Sequence, residues 1–583
     1  MKTKIFILAV SLCALCLSSC KDEFARINQD PNKIIKSPAP DALFTYPLYQ
    51  FCSSQYTEWF YDNYQYLMPW SQVTNLGAFN RNDANEFRET HGREWNMYVR
   101  IFANLFEMRK QIDEMTGDQK AAYQNVYATT YILQVMQALK VTDLYGSIVY
   151  SESMKGRYEG QYTGEFDTQE ELFNQLLDEL DFAIETLSAD HAVSQISFLN
   201  RDFVYQGNPT KWVKAANTLK LRIAARLMGQ NETLAKAVIA EVIADPTGPI
   251  VATADEFRWA PAADYRGEAF DLWGPPYASK NLTEFLKENH DPRLRLWFEQ
   301  NQFDQATVDA FVADSRRLPW FVQNAGTIDE PWDRYFGGSA SPDSATPPAG
   351  HAYNDYTYDF RHPVTNSSVI QISILNRRLQ NPRYDGGTGY FVDVLIPASE
   401  ACLFFAEFIE SGAVAGPVMG KTAQQWYETG VALSCESFDY IAEKAVIKNL
   451  ATLRVQAGEV TTLLTQPDYA WGANNLEKIY IQQYLAYFRL PTELWTNVRR
   501  TGYPTFTSTI LAREHMKSSN SELVIPRRFP RMPPAEDDEN KDFYSAAMTE
   551  QGFTMAKLPV TILNTERIWF DEGNPNYGLG NLK

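Results

Sequence analysis

Residues 168–187, TQEELFNQLLDELDFAIETL, admit little other than a helix. Thr168 stands where its hydroxyl caps the first turn, and Glu171, three residues on, completes a capping box. Phe173, Leu176, Leu177, Leu180, Ile184 and Leu187 then recur at three- and four-residue spacing and mark one apolar stripe. The pattern returns along the chain. It is read at 93–116, at 120–141 (with Tyr123, Val126, Tyr127, Thr130 and Leu133 on one face), at 209–229 and at 231–244. It resumes at about 399–411, 422–448, 474–488 and 491–499. An aromatic-rich helical pattern also runs from Asp41 to about Met68, where Pro47 is tolerable only because it falls early. A helix with one apolar stripe must bury it against a neighbour. Pairs of such helices joined by turns predict a mostly α fold of tetratricopeptide-like helix pairs, although no strict 34-residue repeat is readable. Trp212, Trp426 and Trp495 lie at periodic positions and are assigned to the core.

The periodicity lapses twice. Residues 69–92 carry Pro69, Gly77 and Gly92 and read as a loop. Residues 246–366 are dense in Pro, Gly, Asp and aromatics, as in GPPYAS and SPDSATPPAG, and predict irregular structure with short helices and few short strands. After Pro526 the tail is rich in Pro and acids, and Glu536–Glu539 reads as a solvated charge run.

The N-terminus is an address. Lys2 and Lys4 precede an apolar run at 5–17, which is too short to span a bilayer. Leu17-Ser18-Ser19-Cys20 resembles a bacterial lipoprotein signal, which implies removal of residues 1–19 and lipidation of Cys20. Residues 20–40 would then be a lipidated tether, and acyl chains contribute about 0.8 kcal/mol per buried methylene to anchoring. No second apolar run is long enough to cross a membrane, so the lipid would be the sole attachment. Cleavage takes two lysines and leaves 51 basic against 72 acidic residues, a charge of −21. That balance argues against nucleic acid, whose phosphates demand a basic surface. It suits a body held off an anionic membrane.

Catalytic and metal signatures are missing. The six histidines are scattered with neither HExxH nor Cys–His metal spacing, so no metal and no cofactor is expected. Cys52, Cys402 and Cys435 remain beside Cys20, too few for a disulfide framework, and read as small buried hydrophobes. There is no G-x-S-x-G elbow. Asp355 and Asp359 could flank a sugar, but among 72 acids such a pair carries no weight. Residues 415–422, AGPVMGKT, satisfy a relaxed phosphate-loop pattern. The preceding segment has helical rather than strand spacing, Pro417 removes an N–H, Gly412 reads as a helix C-cap and Thr422 as the next N-cap. A helix-to-helix turn is the better reading.

Several longer stretches, taken in order, resemble one family. These are VTDLYGSIVYSES (141–153), FDTQEELFNQLLDELDFAIETL (166–187), KWVKAANTLKLRIAARL (211–227) and HDPRLRLWF (290–298). IPASEACLFFAEFIESG (396–412), NLEKIYIQQYLAYFRLPTELWTNVRRTGYP (475–504) and IPRRFPRMPPAE (525–536) follow. Together they resemble the SusD/RagB-like outer-membrane lipoproteins of Bacteroidetes. Val149 departs from the pattern, standing where the family often has proline. Arg499 and Arg500 at a helix end suit the negative pole of its dipole, and Gly502 is placed as its C-cap, so these residues read first as structure.

The resemblance implies one SusD-like domain over 41–583, with a helical scaffold at about 41–245 and 396–505 and an irregular ligand-facing region at about 246–395. It implies no catalysis. The implied role is a lipoprotein on the outer membrane, facing the cell exterior, where Lys21-Asp22-Glu23 resembles an export signal. It would capture an oligosaccharide and pass it to a SusC-like TonB-dependent barrel. A peptide-binding RagB-like uptake protein and a surface adhesin on the same scaffold are the alternatives. Ligand residues are not a transferable motif, so they are chosen by chemistry: flat aromatics beside polar edges, at little entropy cost. The loop at 68–83 offers Trp70, Phe79, Asn80 and Arg81, and the irregular middle offers Trp273, Tyr277, Trp320, Trp332 and Tyr335. Arg316 and Arg317 are a local basic pair.

Overall fold

The computed structural model describes residues 38–580 apart from 53–54, 76–91, 263–275, 320–321, 323–326, 329, 342, 344–359, 519, 524 and 556–559. The leader, Cys20 and most of the tether therefore lie outside the described residues, as do Asp355 and Asp359. The protein is mostly α. Two antiparallel two-stranded ladders, one of them Phe257–Trp259 paired with Asp393–Ile396, are its sheets among the described residues.

Local chemistry sets the helix ends. The Glu171 backbone N–H donates to the Thr168 hydroxyl at 3.3 Å, and the Thr168 N–H donates to the Glu171 carboxylate at 3.1 Å. Such a cap contributes about 1 kcal/mol. It opens helix Gln169–Ser188, whose Leu172, Phe173, Leu176, Leu177, Leu180, Ala183 and Leu187 are buried. Asn208 caps Pro209–Leu227, with Pro209 at its first position, and Asn231 caps Glu232–Ala244. These two form a hairpin, and Pro209–Leu227 also packs on Gln169–Ser188. Ala398–Glu410 packs against Ala423–Ala445 and Asn475–Ala486. There Gly430 is required, since a Cβ would lie 2.7 Å from the Leu403 side chain.

Two helical segments differ from the sequence reading. Gln124–Tyr145 is buried on nearly every side, not on one stripe, because neighbours cover it all round. Two of its inward polar groups are paired: Arg109 donates to Thr130 at 2.9 Å, and Gln134 donates to the Tyr150 hydroxyl at 2.8 Å. The pattern read as one helix at 41–68 is divided among Pro40–Leu43, Thr45–Gln50, a wide π-helical run at Gln55–Leu67 and Met68–Trp70.

The signature segments meet in the interior. Asp143 takes a bidentate pair from Arg226, Arg222 pairs with Glu400 at 2.7 Å, and Glu493 receives Arg222 at 3.3 Å and Arg226 at 2.8 Å. Arg499, fully buried, donates to the carbonyls of Asp143 at 2.7 Å and Arg527 at 2.9 Å. Arg500 pairs with Glu407. The two arginines therefore bind distant segments together rather than merely facing a helix end. Gly502 takes φ +72 as the C-cap.

Between the helical blocks, short elements such as Lys280–Glu288, Arg293–Trp297 and Gln305–Ala313 are linked by irregular chain. A satellite core of Phe303, Val308, Phe311, Val322, Ile328, Phe360 and Val369 underlies part of it. Residues 536–539 are exposed, as the charge run predicted.

Candidate functional site

The irregular half is organised by a junction of chain segments. Thr74 bridges to Ala278, and the Asn75 N–H donates to the Tyr277 carbonyl at 3.0 Å. Residue 75 is the foot of the first aromatic loop read from the sequence, and Pro276–Tyr277 is the exit of segment 263–275. Two chain regions about 200 residues apart are thus joined at their bases. Gly338 enters from another side: its N–H donates to Ala278 O at 2.8 Å, and its carbonyl accepts from Lys280 N at 2.7 Å. Ser373–Leu375 closes the group, with Ala278 N donating to Ser373 O at 2.8 Å and Leu375 N to Pro276 O at 2.8 Å.

Side chains seal the junction. Gln72, held at φ +63, donates to the Glu514 carbonyl at 2.7 Å and accepts the Glu514 N–H at 2.8 Å. Ser279 donates to Gln72 O at 2.5 Å. The Glu514 carboxylate accepts from the Ser339 hydroxyl and from Ala340 N–H at 2.8 Å. Gly337 is imposed by close approach, since a Cβ there would meet the Ser279 carbonyl oxygen at 2.3 Å. Irregular backbone is thus held by hydrogen bonds among segments distant in sequence.

The sequence-selected residues separate on this frame. Tyr277 is half-buried at the junction. Trp332 is half-buried and stacks on the exposed His290 ring, centroids 4.8 Å apart at 15°. The Arg295 guanidinium sits 4.9 Å from the Trp332 ring centre and is itself paired with Glu459 at 2.5 Å. His290, Trp332, Arg295 and Glu459 thus form one stacked and paired group. Trp70 and Tyr335 are each only 1% exposed, which corrects their assignment as accessible rings. Trp70 packs on Tyr66 and Trp495, and burial pushes the Tyr335 phenol well up from its ordinary value. An aromatic at the end of a helical run packs inward even where the next residues are irregular. Phe79, Asn80, Arg81, Trp273 and Trp320 lie outside the described residues. Gln72, Gly337, Ser339 and Glu514 were not anticipated, and only the Gly337-Gly338 pair offered a signal.

Other sequence assignments resolve as packing. Trp212, Trp426 and Trp495 are buried. Cys52, Cys402 and Cys435 are free and buried, and burial pushes the Cys402 and Cys435 thiols up to about 12. In the phosphate-loop look-alike, Thr422 caps Ala423–Ala445 with Gln425, and Lys421 lies 4.5 Å from the Trp426 ring centre while donating to Thr429 at 3.1 Å. Its lysine is therefore already occupied. Arg316 is paired with Asp314 at 2.6 Å. No helix among the described residues is long and apolar enough to cross a membrane. None of their His, Cys, Asp and Glu side chains gather into a metal-holding group.

Helix pairs joined to an irregular half, with segments 72–75, 276–279, 337–340 and 373–375 meeting at one junction, define a helical scaffold protein. The sequence profile described as SusD-like, SusD and RagB outer membrane lipoprotein, matches residues 55–315 and 390–554, and the chain belongs to that family. Solved structures share the fold. A chitin-binding protein is 21% identical with a TM-score of 0.63, covering 91% of this chain and 99% of its own. A chitin-binding SusD homologue from Flavobacterium johnsoniae is 20% identical with a TM-score of 0.61, covering 93% and 100%. A SusD homologue from Bacteroides fragilis is 20% identical with a TM-score of 0.61, covering 92% and 99%. A search among curated protein sequences returns no match.

Proposed function

We propose that the chain is a non-catalytic lipoprotein, anchored through Cys20 on the outer face of the outer membrane. It captures an oligosaccharide at the loops rooted on the 74–75/276–279 junction and passes it to a SusC-like TonB-dependent barrel. The observation that carries this reading is membership of a family of outer-membrane lipoproteins. Two structural relatives described as chitin-binding favour a glycan over a peptide. The joined bases of the two aromatic segments favour that face for the ligand. Tyr277 and the His290–Trp332 stack supply ring surface, and Trp273, Trp320, Phe79, Asn80 and Arg81 belong to the same proposal.

Isothermal titration of the chain from Lys21 onward tests it, first with chitin oligosaccharides, then with other glycans and with peptides. Saturable glycan binding that weakens at least tenfold in Trp332→Ala or Tyr277→Ala, with Tm unchanged, is the expected result. Binding of peptides alone would replace the glycan reading with RagB-like peptide uptake. Binding of neither would favour the adhesin. Outer-membrane extracts in which the protein is recovered without a large TonB-dependent barrel would remove the hand-over step.

A further inference from the structure

A second enclosure lies away from that junction, inside the helical scaffold. It has a volume of about 70 Å³ and is bordered by Cys52, Trp59, Asn63, Lys140, Asp393 and Arg489, among others. A water needs about 10–15 Å³ on this measure, so the space admits a few waters or one small polyatomic ion. A sugar ring does not fit.

Its electrostatics are uneven. Lys140 is paired with Glu58 at 2.5 Å, Arg222 with Glu400 at 2.7 Å, and Glu493 is shared by Arg222 and Arg226. Arg489 differs. Its Nε–H donates to Asp393 at 3.1 Å, but Nη1 and Nη2 have no partner although the side chain is only 4% exposed. The Trp59 and Phe391 rings lie 5.4 and 5.5 Å from the guanidinium carbon, holding the group between aromatic walls. Burial and the Asp393 carboxylate push the Cys52 thiol up, which leaves a neutral sulfur and no thiolate to ligate or attack.

A buried donor left without an acceptor costs about 1–3 kcal/mol, more when charged. This enclosure is lined by two such donors, Nη1 and Nη2 of Arg489. The chemistry that satisfies them is a small group that only accepts. A planar carboxylate matches the fork of Nη1 and Nη2 bidentately. We propose that this enclosure is a binding site for one small carboxylate of formate or acetate size, held by the free edge of Arg489. The site is independent of the glycan reading.

Titration of the full mature chain with sodium formate and sodium acetate, at constant ionic strength in chloride, tests the proposal. The expected result is one-to-one saturable binding with a rise in Tm, weakened at least tenfold in Arg489→Met. Arg489→Lys keeps the charge but loses the fork, and is expected to bind less tightly than wild type. Glucuronate is too large to enter and should give no heat. If Arg489→Met does not fold, wild type and Arg489→Lys still decide. Absence of saturable formate or acetate binding by wild type, or equal binding by the folded variants, would mean that the enclosure holds water only, and would overturn the proposal.

Discussion

Arg293 offers the clearest test of how the Asp-Pro-Arg turn holds the scaffold. Both Arg293 and Asp291 are fully buried, with side-chain exposure of 0%. The guanidinium donates to Asp291 through Nε at 3.0 Å and through Nη2 at 2.6 Å. It also donates to the Ser434 hydroxyl at 3.0 Å and the Gln482 side-chain oxygen at 2.9 Å. It thus ties Arg293–Trp297 to Ala423–Ala445 and Asn475–Ala486. Arg293→Met keeps the volume of the stem but leaves the Asp291 charge buried, held only by its bonds from Arg293 N at 2.9 Å and the Tyr469 hydroxyl at 2.6 Å. Breaking one side of a buried pair costs about 3–5 kcal/mol. A loss near 4 kcal/mol is expected, roughly a thousandfold in the folded-to-unfolded ratio. Asp291→Asn combined with Arg293→Met removes the stranded charge and should recover about half of the loss, since Tyr469 can still donate to an amide oxygen. Urea unfolding followed by circular dichroism measures both. A loss under about 1 kcal/mol for the single variant, or a double variant no more stable than the single, would refute the reasoning.

Three further outcomes follow from particular contacts. Gly337→Ala places a methyl against the Ser279 backbone, which must shift, so a loss of about 1–3 kcal/mol is expected together with weaker ligand binding, measured by thermal unfolding and titration. Burial pushes the Glu179 carboxyl up to about 7 from 4.5, despite the opposing bond from the Tyr150 hydroxyl. The folded state therefore holds a proton that the unfolded chain has released, so stability falls as pH rises from about 4.5 to 7, by on the order of 1–3 kcal/mol. Glu179→Gln should flatten that segment of the pH profile. Thr168→Ala removes the hydroxyl half of the capping box and should cost about 1 kcal/mol, read from the urea midpoint.

The proposed glycan face combines residues of unequal legibility. Tyr277 and Trp332 are selected by asking which aromatics stand in irregular sequence. The same question picked Trp70 and Tyr335, which the fold turns inward. Irregular sequence does not separate a ring that seals a satellite core from one that faces solvent, because composition carries no direction. The junction itself was not readable, since Gln72, Ser339 and Glu514 are ordinary polar residues until the chain brings them together.

What the sequence determined by itself is local and periodic. The box at Thr168, the cap at Asn208, the stop at Gly502 and the apolar stripes depend on neighbours three or four residues away, and their physics is complete within one helix. The tertiary structure alone decided what depends on distant pairs. It surrounded Gln124–Tyr145 on all sides, drew Asp143, Arg226, Glu493 and Arg499 into one buried network and joined Asn75 to Tyr277. It also left Arg489 with two nitrogens facing an enclosure. A charge's partner, or its lack of one, is set by distances across the fold, and burial raises the energetic stakes of each by removing the water that would otherwise serve as partner.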